Sequence, residues 1–115
     1  MKMVHVTIQT KHFEEEIKFY QEIVGLVIQS QMEGPKKIAF LADSADDTKV
    51  EIIDNPEADN SGNPNISMGF KAEDVEKKRE ELIALGYEVS PMISPVPQVK
   101  FFFAKDPAGV TVQFI

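Results

Sequence analysis

The chain has 115 residues, 43% of them hydrophobic and 27% charged, and a formal charge of −7. This is enough apolar sequence for one domain with a buried core, and the negative charge disfavours non-specific binding to nucleic acid. The chain has no cysteine, which excludes disulfides, thiolate nucleophiles and cysteine-ligated metals. Its N-terminal stretch lacks the apolar segment of a signal peptide, and no apolar run is long enough to span a membrane. We therefore expect a soluble, cytoplasmic protein with neither nucleic acid nor membrane as a partner.

The first half of the chain predicts a strand, a helix and three further strands. Residues 3–9 alternate between apolar and polar side chains, as a half-buried strand does, and His5 and Thr7 lie on the polar face. Apolar residues then recur at helical spacing over residues 13–24, and Gly25 ends the helix. The following strands are predicted at residues 26–32, 37–42 and 48–54.

The second half begins after residues 55–64, which form the most loop-like segment of the chain. Glu73 and Asp74 open a helix there that Gly86 ends. Strands are predicted at residues 65–71, 87–92, 98–104 and 109–115, with a proline-broken loop at 93–97 that cannot be a central strand.

Both halves thus show the same order, β-α-β-β-β, which indicates an internal repeat. An offset of 62 residues pairs His5 with Ser67 and Glu51 with Gln113. These polar-face residues belong to the first and last strand of each half, and they would converge if the halves pair about a pseudo-twofold axis. We predict a single domain of residues 1–115, with one module at about 1–54, a linker at 55–64 and a second module at about 65–115.

Six short motifs follow one another along the chain: HVTI at 5–8, FYQEIVGL at 19–26, VEII at 50–53, MGFKAEDVE at 68–76, LGYEV at 85–89 and KDPAGVTVQFI at 105–115. In this order they resemble the vicinal oxygen chelate superfamily, which includes glyoxalase I, bleomycin-resistance proteins, fosfomycin-resistance enzymes and extradiol dioxygenases. The resemblance covers essentially the whole chain. It implies an α+β fold in which two βαβββ modules form a curled mixed sheet around a cavity, and it implies a homodimer.

The resemblance also implies a set of site positions. In metal-dependent members, the first and last strand of each module each supply one ligand, and the matching positions here are His5, Glu51, Ser67 and Gln113. His5 and Glu51 match the usual ligand types, but Ser67 stands where a histidine is usual and Gln113 where a glutamate is usual. Serine is a poor ligand for a borderline divalent metal ion. Glutamine can bind such an ion through its carbonyl oxygen, but it cannot act as a base. A metal site would therefore consist of His5, Glu51 and Gln113.

Each of these residues also has a plainer interpretation. His5 would then line a cavity and only form hydrogen bonds, and Glu51 would pair with a neighbouring cation. Gln113 fits the role of a hydrogen-bonding group in the cavity better than that of a metal ligand. Ser67 would simply be a small residue that leaves space in the cavity. Because burying an unpaired carboxylate costs free energy, we favour a functional role for Glu51. The predicted cavity lining is His5, Thr7, Phe40, Glu51, Ser67, Phe101, Phe103 and Gln113.

Two functions from different classes follow. The first is a metal-independent protein that binds a small molecule, similar to the bleomycin-resistance type. The second is a metal-dependent lyase or isomerase of glyoxalase type, in which His5 and Glu51 hold one Ni²⁺, Zn²⁺ or Mn²⁺ ion, Gln113 assists and Glu51 is the catalytic base. We favour the first because half of the usual ligand set is missing. An extradiol dioxygenase is less well supported, since that chemistry needs two histidines and one carboxylate.

Overall fold

A computed structural model describes residues 1–61 and 64–115 of the chain. It contains two compact units, Met1–Asn60 and Ser61–Ile115. In both units a strand and a helix are followed by three more strands, so the predicted α+β fold of two βαβββ modules is confirmed. The organisation of both modules into one domain stays a prediction. Residues 62 and 63, which belong to the predicted linker, lie outside the described residues.

The first unit is a mixed four-stranded sheet covered by a helix on one face. Its strands are β1 (His5–Thr10), β2 (Val27–Met32), β3 (Ile38–Ala42) and β4 (Lys49–Asp54). The order is β1-β4-β3-β2, with β1 and β4 parallel and the other neighbours antiparallel. Burial alternates along β1 and β4, so that Ile8, Val50 and Ile52 face the core together with the buried Thr10, whereas His5, Thr7 and Glu51 lie on the other face.

Helix α1 (Phe13–Lys18) continues directly into a π-helical segment (Phe19–Ile23). In this segment the Val24 N–H donates to the Phe19 carbonyl, five residues back, at 3.2 Å. The wider turn rotates the apolar stripe relative to an ideal α-helix. As a result Phe19 and Ile23 are buried, whereas Val24, which follows the α-helical spacing, is only partly covered.

The second unit repeats this arrangement. Its strands are β5 (Ser67–Phe70), β6 (Ile93–Val96), β7 (Val99–Lys105) and β8 (Thr111–Phe114), in the order β5-β8-β7-β6 with β5 and β8 parallel. Helix α2 (Val75–Ala84) begins after Asp74, whose side chain accepts a hydrogen bond from the Lys77 N–H at 3.1 Å. Gly86 follows the helix with a φ of 87°, as Gly25 follows the first with 85°, so both predicted helix ends are correct.

One part of the second unit differs from the prediction. The sequence predicts a strand at residues 87–92 and a loop at 93–97, but residues 87–92 contain only an isolated bridge, from Val89 to Ala104, and residues 93–96 form β6. β6 lies at the sheet edge, where a proline does not interrupt the pairing between inner strands. The loop prediction was therefore wrong, while the exclusion of a central strand was right.

The three consecutive phenylalanines of β7 alternate between the two faces of the sheet. Phe102 is fully buried and stacks on Phe114, with ring centroids 5.3 Å apart. Phe101 and Phe103 lie on the opposite face, in edge contact with centroids 5.7 Å apart. The core therefore receives one ring of the three, and the other two lie on the face that carries the predicted site residues.

The turn between β7 and β8 is built on Asp106, which is only 4% exposed. Its Oδ1 accepts hydrogen bonds from the backbone N–H groups of Ala108, at 3.0 Å, and Val110, at 2.8 Å. Gly109 follows at a φ of 89°, which other residues rarely adopt. The side chain thus satisfies two backbone donors that the turn leaves outside the β-ladder.

We expect Asp106→Ala to lower the free energy of unfolding by about 1–3 kcal/mol, because two partly buried N–H groups lose their acceptor. Asp106→Asn keeps an oxygen at the same place and should lose less than half as much. Urea denaturation of both variants measures the difference. Equal losses would show that the charge of Asp106, rather than its acceptor oxygen, stabilises the turn.

Candidate functional site

The polar face of the first sheet is organised around the carboxylate of Glu51. Its Oε1 accepts a hydrogen bond from the Thr7 hydroxyl at 2.5 Å and lies 3.4 Å from Nε2 of His5. Thr7 lies directly opposite Glu51 in the parallel pairing of β1 with β4, and His5 lies two residues before Thr7 on the same face. The side chain of Glu51 is 13% exposed and that of His5 is 39% exposed. A mostly covered carboxylate is thus held between a hydroxyl and a more accessible imidazole.

Phe40 completes this group from the other side of β4. It lies opposite Glu51 in the antiparallel pairing of β3 with β4. Its ring meets the imidazole of His5 edge-on, with centroids 5.8 Å apart and an interplanar angle of 67°. The imidazole is therefore fixed by a carboxylate and an aromatic ring at once.

Lys49 lies on the same strand as Glu51 but interacts elsewhere. Its ammonium group donates to the backbone carbonyls of Ala45, at 2.6 Å, and Asp47, at 2.8 Å. Within residues 1–61 and 64–115, the ion-pair partner of Glu51 is His5 and not a lysine. The neighbouring group that could act as the cation in the plainer interpretation of Glu51 is therefore His5, which carries a charge only when it is protonated.

A surface pocket of about 300 Å³ opens beside His5 and Phe40. Of its lining, His5 and Phe40 were predicted as cavity residues, whereas the loop before β4 lies outside the motifs that carry the family resemblance. The lining consists of Lys2, Met3, Val4, His5, Phe40, Ala45, Asp46, Asp47 and Lys49.

The corresponding face of the second sheet carries Gln113. It lies opposite Gly69 in β5 and opposite Phe103 in β7. A Cβ atom at Gly69 would lie only 3.1 Å from Oε1 of Gln113, so the carboxamide extends over the glycine. In the first unit, Thr7 lies opposite Glu51 and donates a hydrogen bond to it. In the second unit, Gly69 lies opposite Gln113 and has no side chain, which leaves space for the carboxamide.

The structure therefore brings the predicted site residues together in two sets, one in each unit. His5, Thr7, Phe40 and Glu51 share the polar face of the first sheet. Strand register places Ser67, Phe101, Phe103 and Gln113 on one face of the second sheet. That the two sets line one cavity stays a prediction.

A complete metal centre does not fit these side chains. No group of three or more His, Cys, Asp or Glu residues within the described ranges is placed to hold a metal ion. His5 and Glu51 supply two donors, whereas zinc sites use three or four protein ligands. In the second unit the matching positions are a hydroxyl and an uncharged amide, Ser67 and Gln113, which are weak ligands for Ni²⁺ and Zn²⁺.

A comparison with protein families identifies the chain. The sequence model of the Glyoxalase/Bleomycin resistance protein/Dioxygenase superfamily matches residues 2–114. The chain belongs to this superfamily. The resemblance inferred from the six motifs is thereby confirmed. No curated protein matches the chain.

Solved structures agree with this assignment at the level of the fold. The trypanothione-dependent glyoxalase I of Leishmania major is 19% identical, with a TM-score of 0.82 over 100% of this chain and 86% of the other. A fosfomycin-resistance protein, FosX from Listeria monocytogenes, is also 19% identical, with a TM-score of 0.77 over 98% and 89%. A glyoxalase I mutant from Zea mays is 24% identical, with a TM-score of 0.84 over 99% and 44%. At identities this low, the similarity shows that the fold is shared and gives no information on whether the reaction is shared.

Two further observations concern the helices and their surface charges. No described helix is both long and apolar enough to cross a membrane. Away from the candidate faces, Lys100 of β7 pairs with Glu76 of α2, and the hydrogen bond and charge of Glu76 raise the pKa of that ammonium group. This pair is solvent-exposed, so salt and water weaken it.

We expect the Thr7–Glu51 hydrogen bond to appear as a coupling energy in a double-mutant cycle. Thr7→Val and Glu51→Leu remove the donor and the acceptor at nearly constant size, and urea denaturation should give a coupling of about 1 kcal/mol. Thr7→Val combined with Glu22→Leu, at an exposed glutamate of the π-helical segment, should be additive. A coupling near zero for the first pair would contradict the contact.

Proposed function

We propose that this protein binds a small organic molecule on the polar face of its first module, without a complete metal site. The observation that carries the proposal is the position of Glu51. Its carboxylate is mostly covered, and the neighbours that hold it are the Thr7 hydroxyl and the His5 imidazole. Keeping a carboxylate in this position costs solvation free energy that a purely apolar strand face would avoid. A few polar groups that converge on one face beside apolar surface are typical of small-molecule sites.

Each side chain of this face has a distinct part in the proposal. Glu51 accepts hydrogen bonds from the ligand, and Thr7 keeps its carboxylate in one orientation. His5, whose side chain is more exposed than that of Glu51, contacts the ligand directly. Phe40 supplies apolar surface next to His5. Together they suit a ligand with hydrogen-bond donors attached to an apolar body.

The second module carries a corresponding set of side chains on the face of its own sheet, Gln113, Phe101 and Phe103. The carboxamide of Gln113 offers both a donor and an acceptor, and its position over Gly69 leaves it unobstructed by a neighbouring side chain there. The two phenylalanine rings supply apolar surface.

We also propose a homodimer in the cytoplasm, in line with the expectation from the family resemblance.

Membership of the superfamily supports small-molecule binding but does not select the ligand. Two structurally similar proteins carry names that refer to different small molecules, trypanothione and fosfomycin. One fold thus accommodates different ligands, and the choice rests with the side chains of the site.

A metal-dependent lyase or isomerase of glyoxalase type is the alternative. The 3.4 Å separation of His5 and Glu51 is the observation in its favour. Against it stand the uncharged Gln113, which cannot accept a proton as a carboxylate would, and the hydroxyl of Ser67.

A thermal-shift screen of small organic molecules against metal-free protein tests the proposal. For each ligand found, Glu51→Gln should weaken the affinity about tenfold, because the hydrogen bond from the ligand loses its charged acceptor. His5→Ala should weaken it as well. Glu22→Gln makes the same chemical change at an exposed residue outside the face and should leave the affinity unchanged. If Glu51→Gln and His5→Ala alter no dissociation constant, the binding face has been placed wrongly.

A further inference from the structure

The loop between β3 and β4 forms a preformed wall of the 300 Å³ pocket. The Ser44 hydroxyl donates to Oδ2 of Asp47 at 2.9 Å, and the Asp47 N–H donates back to the Ser44 carbonyl at 3.2 Å. The ammonium group of Lys49 bonds to the carbonyls of Ala45 and Asp47. These contacts fix the loop before any ligand is present, which lowers the entropic cost of binding against it.

The pocket is balanced in charge. Its lining includes two lysines and two aspartates, Lys2, Lys49, Asp46 and Asp47, whose formal charges cancel. The Lys49 ammonium is already engaged by backbone carbonyls, and Lys2 Nζ reaches the Asp46 carbonyl at 3.4 Å. A neutral ligand therefore suits this pocket better than an ion.

The imidazole of His5 lines this pocket. Its Nε2 lies 3.4 Å from the Glu51 oxygen, and a neighbouring carboxylate stabilises the tautomer that carries its proton on that nitrogen. In this tautomer Nδ1 is a hydrogen-bond acceptor. No described residue donates a hydrogen bond to Nδ1; the recorded contacts of the ring are those with Glu51 and Phe40.

We infer that this pocket of the first module binds an aromatic ring that bears an N–H or O–H donor. The ring packs against Phe40, and the donor bonds to Nδ1 of His5. Exposed apolar side chains of Met3 and Val4, at 66% and 60% exposure, extend the contact surface at the pocket. A volume of about 300 Å³ is at the lower end of small-molecule sites, so the ligand carries one ring or two fused rings here.

This inference rests on the proposed function and makes it more specific. The proposed function requires only that a ligand contacts the face around Glu51. The inference adds the location, beside the loop of residues 44–47 within the first module, and the chemical class of the group that binds there.

Indole and benzofuran are matched probes, because the two bicyclic rings have nearly the same shape and only indole has an N–H donor. Titration of the 115-residue chain with each, followed by ¹H–¹⁵N NMR, should shift the backbone amides of Phe40, Ala45 and Lys49. Indole should bind about fivefold more tightly than benzofuran, the ratio expected for one neutral hydrogen bond. In His5→Phe, which keeps a ring but removes the acceptor, this preference should disappear.

A variant that fills the pocket tests the location. Ala45 is exposed and lines the pocket, so Ala45→Leu should weaken both probes at least fivefold without unfolding the protein. Ala84→Leu, the same change at an exposed position of α2, should leave both affinities unchanged. ¹⁵N shifts of the His5 ring should report a proton on Nε2 in the free protein.

Three results would overturn the inference. The first is that indole leaves the three amides unshifted up to its solubility limit. The second is a proton on Nδ1 of His5. The third is indole binding that Ala45→Leu does not change but Glu51→Gln weakens, which would retain the proposed function and reject this pocket. Failure of the proposed function itself appears separately, as ligands whose affinity depends on neither Glu51 nor His5.

Discussion

The candidate site depends on the parallel register between β1 and β4. This register places Thr7 directly opposite Glu51, and the hydroxyl can then hold the carboxylate from the neighbouring strand. Because side chains alternate along a strand, a slip of one residue would turn Glu51 towards the core that Ile52 now fills. The buried face of the sheet therefore determines the polar face, because the burial of Ile8, Val50 and Ile52 keeps Glu51 and His5 on the opposite side.

The second module has the same register and a different chemistry. β5 and β8 pair in parallel and place Gly69 opposite Gln113, as Thr7 is placed opposite Glu51. The first module holds a charged group by a hydrogen bond, whereas the second leaves space in which an uncharged amide extends over a glycine. The repeat thus conserves the backbone arrangement while the polar groups differ in charge.

The sequence was most informative where a side chain's place follows from alternation. Side chains along a strand alternate between its two faces. This alternation places His5, Thr7 and Glu51 on polar strand faces, and it places Phe102 on the opposite face from Phe103. The β6 strand could not be predicted, because Pro95 and Pro97 suggest a loop unless the strand is known to lie at an edge.

Two features near helix α1 and the pocket were also beyond the sequence. The π-helical segment depends on an i to i+5 hydrogen bond that moves Phe19 and Ile23 into the core, and nothing in local propensity marks that bond. The role of Lys49 depends on backbone carbonyls of Ala45 and Asp47, and every residue has a carbonyl, so its partners become visible only once the loop is folded.

The measurement that tests the account most directly is the metal content of the protein. The chain, purified without a histidine tag, is incubated in turn with Ni²⁺, Zn²⁺ and Mn²⁺, desalted and subjected to elemental analysis, with His5→Ala treated in parallel. Two good ligands are too few to retain an ion through desalting, so we predict far less than one metal per chain in both proteins. Close to one ion per chain in the native protein, lost in His5→Ala, would contradict the metal-free binding site and support the lyase or isomerase instead.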